Sequence, residues 1–563
     1  MSLIRFTNLA VLTLAGIALA ACARESAPAP AGADTVFFGG PIYTALDAEP
    51  TIEAVAVKGG VIEAAGARAE IDKLIGPSTR IIDLKGAAMY PGFTDSHAHL
   101  LGIGMRELTL NLEGVGSVEE LVDIVAANVA ETKPGALVYG RGWIETGWPE
   151  GRFPNRDDLD PMSADNPVIL YRADGHAAVT NSAALAAAGV DENTPDPTGG
   201  RIEKDVNGRP TGMLIDNAMN LVGGLLSEPT AAQKREAYNV ASEVYTGYGW
   251  TGVHNMSVDP DDAPLLEEMS DGGSLKLRVY NALDQGGLEA LAKNGARKSA
   301  NDHVITRAIK LYVDGALGSR GAALLAPYSD QPETSGLMLM QKEEAEALFE
   351  KAISSGVQIC THAIGDRGNR LVLDWYDEAF SAHPEATNLR WRIEHAQILD
   401  TNDIPRLAEL GVIPSMQPSH AIGDLYFAPA RLGADRLAGA YAWRSLIDTG
   451  SIIAGGTDAP VERGDPRIEF YAAVARKSLD GYSDENWRPE QAVSRSEALK
   501  MFTAWPAYAS FQEEALGVIA PGKRADFTVF SGDIMTIPAE EILKVEPVMT
   551  VVDGEIVYEA STE

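Results

Sequence analysis

His97 and His99 end an apolar run, Ile81 to Tyr90, that continues through Pro91-Gly92-Phe93-Thr94-Asp95-Ser96. Residues i and i+2 of a strand face the same side, so two imidazoles would point together, a geometry that suits a metal ion. A lone His-x-His pair also arises by chance or as satisfied core histidines. Three later strand-like runs each lead into a further ligand type. Val357–Cys360 leads into Thr361-His362-Ala363-Ile364-Gly365-Asp366, Trp391–Glu394 into His395-Ala396-Gln397, and Ile452–Gly455 into Gly456-Thr457-Asp458-Ala459-Pro460. Lys310 ends the apolar approach Ile305–Ile309. Singly, His362 or His395 could be structural and Asp458 a helix N-cap. In the order His-x-His, Lys, His, His, Asp, chance is a poor explanation.

The elements that must carry these residues alternate. Apolar strands such as Val168–Tyr171, Leu277–Tyr280 and Ile309–Val313 are separated by amphipathic helical runs such as Lys342–Ser355 and Arg370–His383. Near-continuous apolar strands in repeated β-α units predict a parallel sheet covered on both faces. The expectation is an α/β fold, a (β/α)8 TIM-like barrel over 91–509 whose chemistry sits at the C-terminal strand ends. A segment near 131–210, rich in Trp, Pro and Gly, reads as an insertion over one rim. Short strands broken by Gly and Pro fill 35–90 and recur over 510–563, each piece too small for a core of its own. Together they are expected to form a small β-sandwich built from both chain ends.

The first 34 residues stand apart. Met1–Arg5 is short and basic, Leu9–Ala21 is apolar, and Leu19-Ala20-Ala21-Cys22 closes it. This reads as a signal peptide over 1–21, excluded from fold reasoning. The closing residues resemble a bacterial lipobox, which implies acylation of Cys22, and Ala23 after it resembles lipoproteins of the outer membrane. The expected location is the cell envelope, lipid-anchored and facing the periplasm, with 22–34 as a flexible tether. Cys360 is the other cysteine, so stability must come from core burial rather than an intramolecular disulfide. A formal charge of −34 over 563 residues repels phosphate backbones and argues against nucleic acid as a partner.

With these pieces in place the sequence resembles the amidohydrolase superfamily, in its family 3 branch that includes N-substituted formamide deformylases. The resemblance rests on Pro91-Gly92-Phe93-Thr94-Asp95-Ser96-His97-Ala98-His99, Asp174-Gly175-His176 with Asn181-Ser182-Ala183-Ala184-Leu185, Lys310-Leu311-Tyr312-Val313-Asp314-Gly315-Ala316-Leu317-Gly318-Ser319-Arg320, Thr361–Asp366 and Pro521-Gly522-Lys523-Arg524-Ala525-Asp526. It implies that His97 and His99 are first-strand metal ligands, His362 and His395 fifth- and sixth-strand ligands, and Asp458 the eighth-strand carboxylate. It also implies one or two divalent ions, Zn2+ foremost, and a fourth-strand Lys310 carboxylated by CO2 to bridge two of them. The alternative is an unmodified Lys310 paired with an acid such as Asp314 beside a single metal.

Imidazole and carboxylate ligands suit Zn2+, which lowers the pKa of a bound water to about 7 and polarises a carbonyl. Asp458 could take the proton of the attacking water and return it to a departing nitrogen. The expected reaction is hydrolysis of a non-peptide C–N bond in a small amide, N-formyl, N-acyl or cyclic amide compound. The same site could cleave an ester, lactone or phosphoester, and a ligand-binding lipoprotein without turnover is the alternative of another class. His176 could hydrogen-bond the substrate carbonyl or fix its loop. Arg320 could meet a substrate carboxylate or form a salt bridge, as with Asp314, itself placed among the substrate-binding residues. Trp143, Trp148 and Tyr171 could line a pocket or pack, and His254, His303, His383 and His420 read as structural or exposed. Homo-oligomers are common among such barrels, but no stretch marks an interface.

Overall fold

The computed structural model describes residues 32–226, 229–484 and 487–561. The signal segment, Cys22 and most of the tether lie outside the described residues. No helix among the described residues is long and apolar enough to cross a membrane.

Eight parallel strands form a nearly closed barrel: β1 (Phe93–Ala98), β2 (Trp250–Val258), β3 (Arg278–Leu283), β4 (Val304–Tyr312), β5 (Gln358–Ala363), β6 (Arg392–His395), β7 (Ile413–Met416) and β8 (Ala454–Gly455). Each pairs in parallel with the next, from β1 through β8. Their side chains are buried on both faces, which explains the unbroken apolar runs in the sequence. The remaining seam, between β8 and β1, is spanned differently. His97 O accepts from Asp458 N at 2.6 Å and Ala459 O accepts from His99 N at 2.8 Å. The buried Asp95 carboxylate accepts from Thr457 N at 2.9 Å, Thr457 Oγ1 at 2.6 Å and Tyr245 Oη at 2.9 Å. A Cβ on Gly456 would lie 2.6 Å from His97 N, so the approach of the two strands requires glycine there.

The strands of both chain ends join in one hydrogen-bonded sheet of eight, where a sandwich of two layers was expected. The splice is Ala88–Pro91, which pairs with Thr35–Tyr43 on one side and with Phe527–Phe530 on the other. Phe37, Ile42, Val55, Met89, Phe527, Val529 and Val551 share one apolar core. This sheet is fixed to the start of β3 by Arg278, which donates to Asp526 at 2.5 and 3.0 Å and to Asp553 at 2.5 Å. Asp553 also accepts from His303 Nε2 at 2.6 Å. The terminal Ala525-Asp526 motif is therefore a docking device for the sheet.

Between β1 and β2 lies a second sheet of six strands, from Leu110–Asn111 through Val138–Trp143, Val168–Arg172, Ala177–Thr180 and Gly200–Lys204 to Pro210–Asp216. It begins earlier than the insertion expected near 131–210, at Leu110–Asn111, and the helix Val118–Glu131 packs on the inserted sheet. Trp143 and Trp148 belong to this sheet's core, their indole N–H groups donating to Leu170 O at 2.8 Å and Val115 O at 2.7 Å.

Removing one partner of a buried ion pair leaves the other charge stranded, so Arg278→Ala should lower stability by about 3 kcal/mol in urea unfolding. A loss under about 0.5 kcal/mol, the range of an ordinary surface change, would show that the sheet is held by apolar contact alone.

Candidate functional site

At the C-terminal ends of the strands a cavity of about 1020 Å³ is lined by His99, Lys310, His362, His395 and Asp458 together with Arg141, His176 and His420. Its floor is a continuous row of imidazoles. Ring centroids are 5.5 Å apart for His99 and His97, 4.8 Å for His97 and His395, 4.6 Å for His395 and His362, and 5.6 Å for His362 and His176. The Asp458 carboxylate lies among them, with Oδ1 3.2 Å from His99 Nε2 and 3.4 Å from His97 Nε2. His395 at φ +75° and Asp458 at φ +60° hold left-handed backbone, which is uncommon for non-glycine residues.

Hydrogen bonds from below fix three of the rings. His97 Nδ1 meets Glu394 Oε2 at 2.6 Å, His99 Nδ1 meets Met256 O at 3.1 Å, and His395 Nδ1 meets Gln417 Oε1 at 2.9 Å. Glu394 is held in turn by Arg392, which also donates to Ser96 O at 2.6 Å and Ser415 Oγ at 2.7 Å and meets His254 Nδ1 at 2.9 Å. His254 therefore belongs to the support beneath the cavity.

Burial decides the charge of these groups. It drives His362 and His395 well below the usual imidazole range, and with the help of the Lys310 ammonium it takes His97 down to about 4. Burial works against ionisation of Asp458 and Glu394, yet both carboxyls are held below their usual range, Asp458 with the help of its hydrogen bond to His99 and Glu394 chiefly by Arg392. Neutral imidazoles beside ionised carboxylates are what a divalent cation needs. His97, His99 and Asp458 bring ligand atoms within 4.8 Å of one another, and so do His395, His420 and Asp458. His362 Nε2 and His420 Nε2 are buried without a hydrogen-bond partner, which fits a role as metal ligands. Lys310 Nζ lies 3.2 Å from His97 Nε2.

Two expected substrate contacts are corrected. Asp314 is fully buried, and its carboxylate accepts the backbone N–H groups of Ile364 at 2.9 Å and of Gly365 and Ala323 at 2.8 Å, so it braces the loop after β5. Arg320 turns away from the cavity and pairs with Asp330 at 2.9 Å, not with Asp314. His176 does line the cavity, with its Nδ1 2.7 Å from Asp216 Oδ1. Tyr171 packs edge-on against Tyr139. Cys360 is buried, and burial pushes its thiol up to about 12, which makes it inert. His420, read from sequence as structural or exposed, lies on the cavity wall 3.7 Å from Asp458 Oδ2, its Nδ1 meeting Gln397 Nε2 at 2.8 Å. Its signal was its place just after β7, at the same barrel end as the other ligands.

Glu394→Gln strands the buried Arg392 charge and should lower stability, and in the protein that folds it should weaken divalent-metal affinity about 10–100-fold, as loss of a ligand's hydrogen-bonded support does; equal affinity in a metal titration would deny Glu394 this role. Unfolded imidazoles take up protons near pH 6.5 whereas folded His97 does so only near about 4, so between these values the unfolded state binds more protons. Metal-free protein should accordingly melt at lower temperature at about pH 5 than at about pH 7.5, and an unchanged melting temperature would contradict the buried neutral imidazoles.

The sequence profile of the Amidohydrolase family matches residues 80–558. YtcJ of Bacillus subtilis (strain 168), whose name classes it as an amidohydrolase, is 36% identical over 534 residues, covering 93% of this chain and 99% of YtcJ. The N-substituted formamide deformylase of Arthrobacter pascens is 28% identical over 527 residues, covering 90% and 95%. A crystal structure of an uncharacterized metal-dependent hydrolase from Pyrococcus horikoshii OT3 superposes with a TM-score of 0.73 at 28% identity, covering 90% of this chain and 99% of that one.

Proposed function

The chain belongs to the amidohydrolase family, and from that premise we propose that it is a metal-dependent hydrolase of a non-peptide carbon–nitrogen bond at a carbonyl carbon. The observation that carries the reading is the row of imidazoles around the ionised Asp458 at the base of one large cavity, with His97, His362 and His395 kept neutral by burial. His97, His99 and Asp458 would hold one divalent cation, and His362 and His395 a second, with His420 within reach of the same group. Bound there, the metal would supply Lewis acidity toward a water and a carbonyl oxygen.

The chain's own residues supply the rest. Asp458 is placed to accept the proton of the attacking water and to hand it to the leaving nitrogen, which departs poorly as an anion. Its hydrogen bond to His99 Nε2 at 3.2 Å orients the carboxylate toward the cavity, where it also lies 3.4 Å from His97 Nε2. The Glu394–Arg392 pair keeps His97 in the tautomer whose free Nε2 faces inward. His176, oriented by Asp216, faces His362 across the cavity and is placed to bind the substrate carbonyl oxygen. Lys310 faces an imidazole, with no carboxylate in ion-pair range among the described residues, which supports the carboxylated, bridging form: CO2 adds at Nζ, protons leave, and a cation becomes an anionic ligand. The substrate class is small amides, with N-formyl compounds suggested by the deformylase relative. We further propose that Cys22 carries a lipid that anchors the enzyme in the outer membrane, supported by Leu19-Ala20-Ala21-Cys22.

Hydrolysis of a panel of N-formyl and N-acyl amines, set beside the matching esters, tests the reading. Wild-type protein should turn over amides, and Asp458→Asn should lose about 10²–10⁴-fold in kcat, the worth of a positioned acid–base group. Turnover of esters alone would favour an esterase on the same site, and an undiminished Asp458→Asn enzyme would remove Asp458 from the mechanism.

A further inference from the structure

One arginine on the cavity wall, Arg141, has no carboxylate in ion-pair range among the described residues. Arg141 lies on the inserted strand Val138–Trp143, within the lining of the cavity that holds His99, Lys310 and Asp458. Its Nη2 donates to Ala173 O at 3.0 Å, its Nε is buried without a hydrogen-bond partner, and it forms no ion pair among the described residues. The acids around it are engaged elsewhere. Asp174 is bound by Arg172 and by the N–H of His176 at 3.0 Å, and Glu145 holds Arg172 Nε at 2.8 Å. Asp216 is taken by His176, and Asp458 stands among the imidazoles. Asp424 is taken by the Tyr441 hydroxyl, and Glu469 accepts from Ser419 N at 2.9 Å. Arg172, one strand over, shows what a resident arginine looks like here: it has two carboxylate partners.

Arg141 is half-buried with its Nε shielded from water and unpartnered, and its planar fork matches a carboxylate with two parallel N–H bonds. Ala173, whose carbonyl anchors Arg141, and His176, whose ring faces His362, belong to a single turn, so this cation has a fixed relation to the imidazole row. Gly175 in that turn, at φ +71°, presents no side chain; a Cβ there would come to 3.5 Å from Arg141 Nη2. We propose that Arg141 receives a carboxylate carried by the substrate, so that the preferred substrates are amides bearing an acidic group beside the scissile bond. This rests on the amidohydrolase reading above.

N-formylphenylalanine and N-formylphenethylamine differ only in the carboxylate and make the test pair. Wild-type enzyme should prefer the acid, and Arg141→Gln should cut the ratio of kcat/KM values, acid over neutral, by about 100-fold, the scale of a lost charge-assisted bidentate contact. Arg141→Lys, which keeps the charge but not the fork, should fall between. A ratio that changes less than about threefold would overturn the inference, since a structural role would depress both substrates alike. Turnover of the neutral amide with no preference for the acid likewise overturns it while leaving the amidohydrolase reading intact. If neither compound is hydrolysed, calorimetry of N-formylphenylalanine decides: binding about 100-fold weaker to Arg141→Gln supports the carboxylate site, and equal or absent binding refutes it.

Discussion

The site depends on how β8 is brought against β1. Asp458 and His97 lie 361 residues apart in sequence, yet the backbone bond from Asp458 N to His97 O at 2.6 Å sets them side by side. No regular ladder joins these strands, and the buried carboxylate of Asp95 does the joining by accepting three hydrogen bonds from Thr457 and Tyr245. Desolvation opposes this arrangement and pushes Asp95 up to about 6, but the hydrogen bonds satisfy it. The Asp95-Ser96-His97-Ala98-His99 motif therefore works at two levels. Its histidines face the cavity, and its aspartate closes the barrel that gives them a partner.

A second layer of polar groups beneath the cavity tunes that arrangement. Arg392 ties together Glu394, Ser96, Ser415 and His254, residues from four different barrel strands or their connections. Such a network is stable only when nearly complete, because each stranded buried charge costs far more than a surface one. The terminal sheet performs a comparable task at the opposite end of the barrel through Arg278, Asp526 and Asp553. The inserted sheet supplies the cavity wall, with Arg141 and His176 facing the ligands contributed by the barrel.

The sequence showed these parts unequally, for physical reasons. His97, His99, His362, His395 and Asp458 follow runs buried on both sides, so the alternation of apolar strand and polar end was visible without any tertiary knowledge. His420 was hidden because β7 is only four residues long and contains Pro414, which breaks the strand pattern. Asp314 and Arg320 sit in a motif-like stretch, but their roles turn on the backbone N–H groups of Ile364, Gly365 and Ala323 and on Asp330. Those partners are set by how loops meet. The single terminal sheet was likewise illegible, since strand texture says which residues alternate but not which strand is the hydrogen-bonded neighbour.

The most direct test of the central claim is metal dependence, measured on soluble protein lacking residues 1–22. Elemental analysis should be paired with amide hydrolysis before chelation, after chelation and after divalent ions are restored. The account predicts about two metals per chain, loss of turnover on stripping, and recovery on re-addition, as expected when ligands from β1, β4, β5, β6 and β8 share one cavity. Full turnover by protein that holds no metal would contradict it.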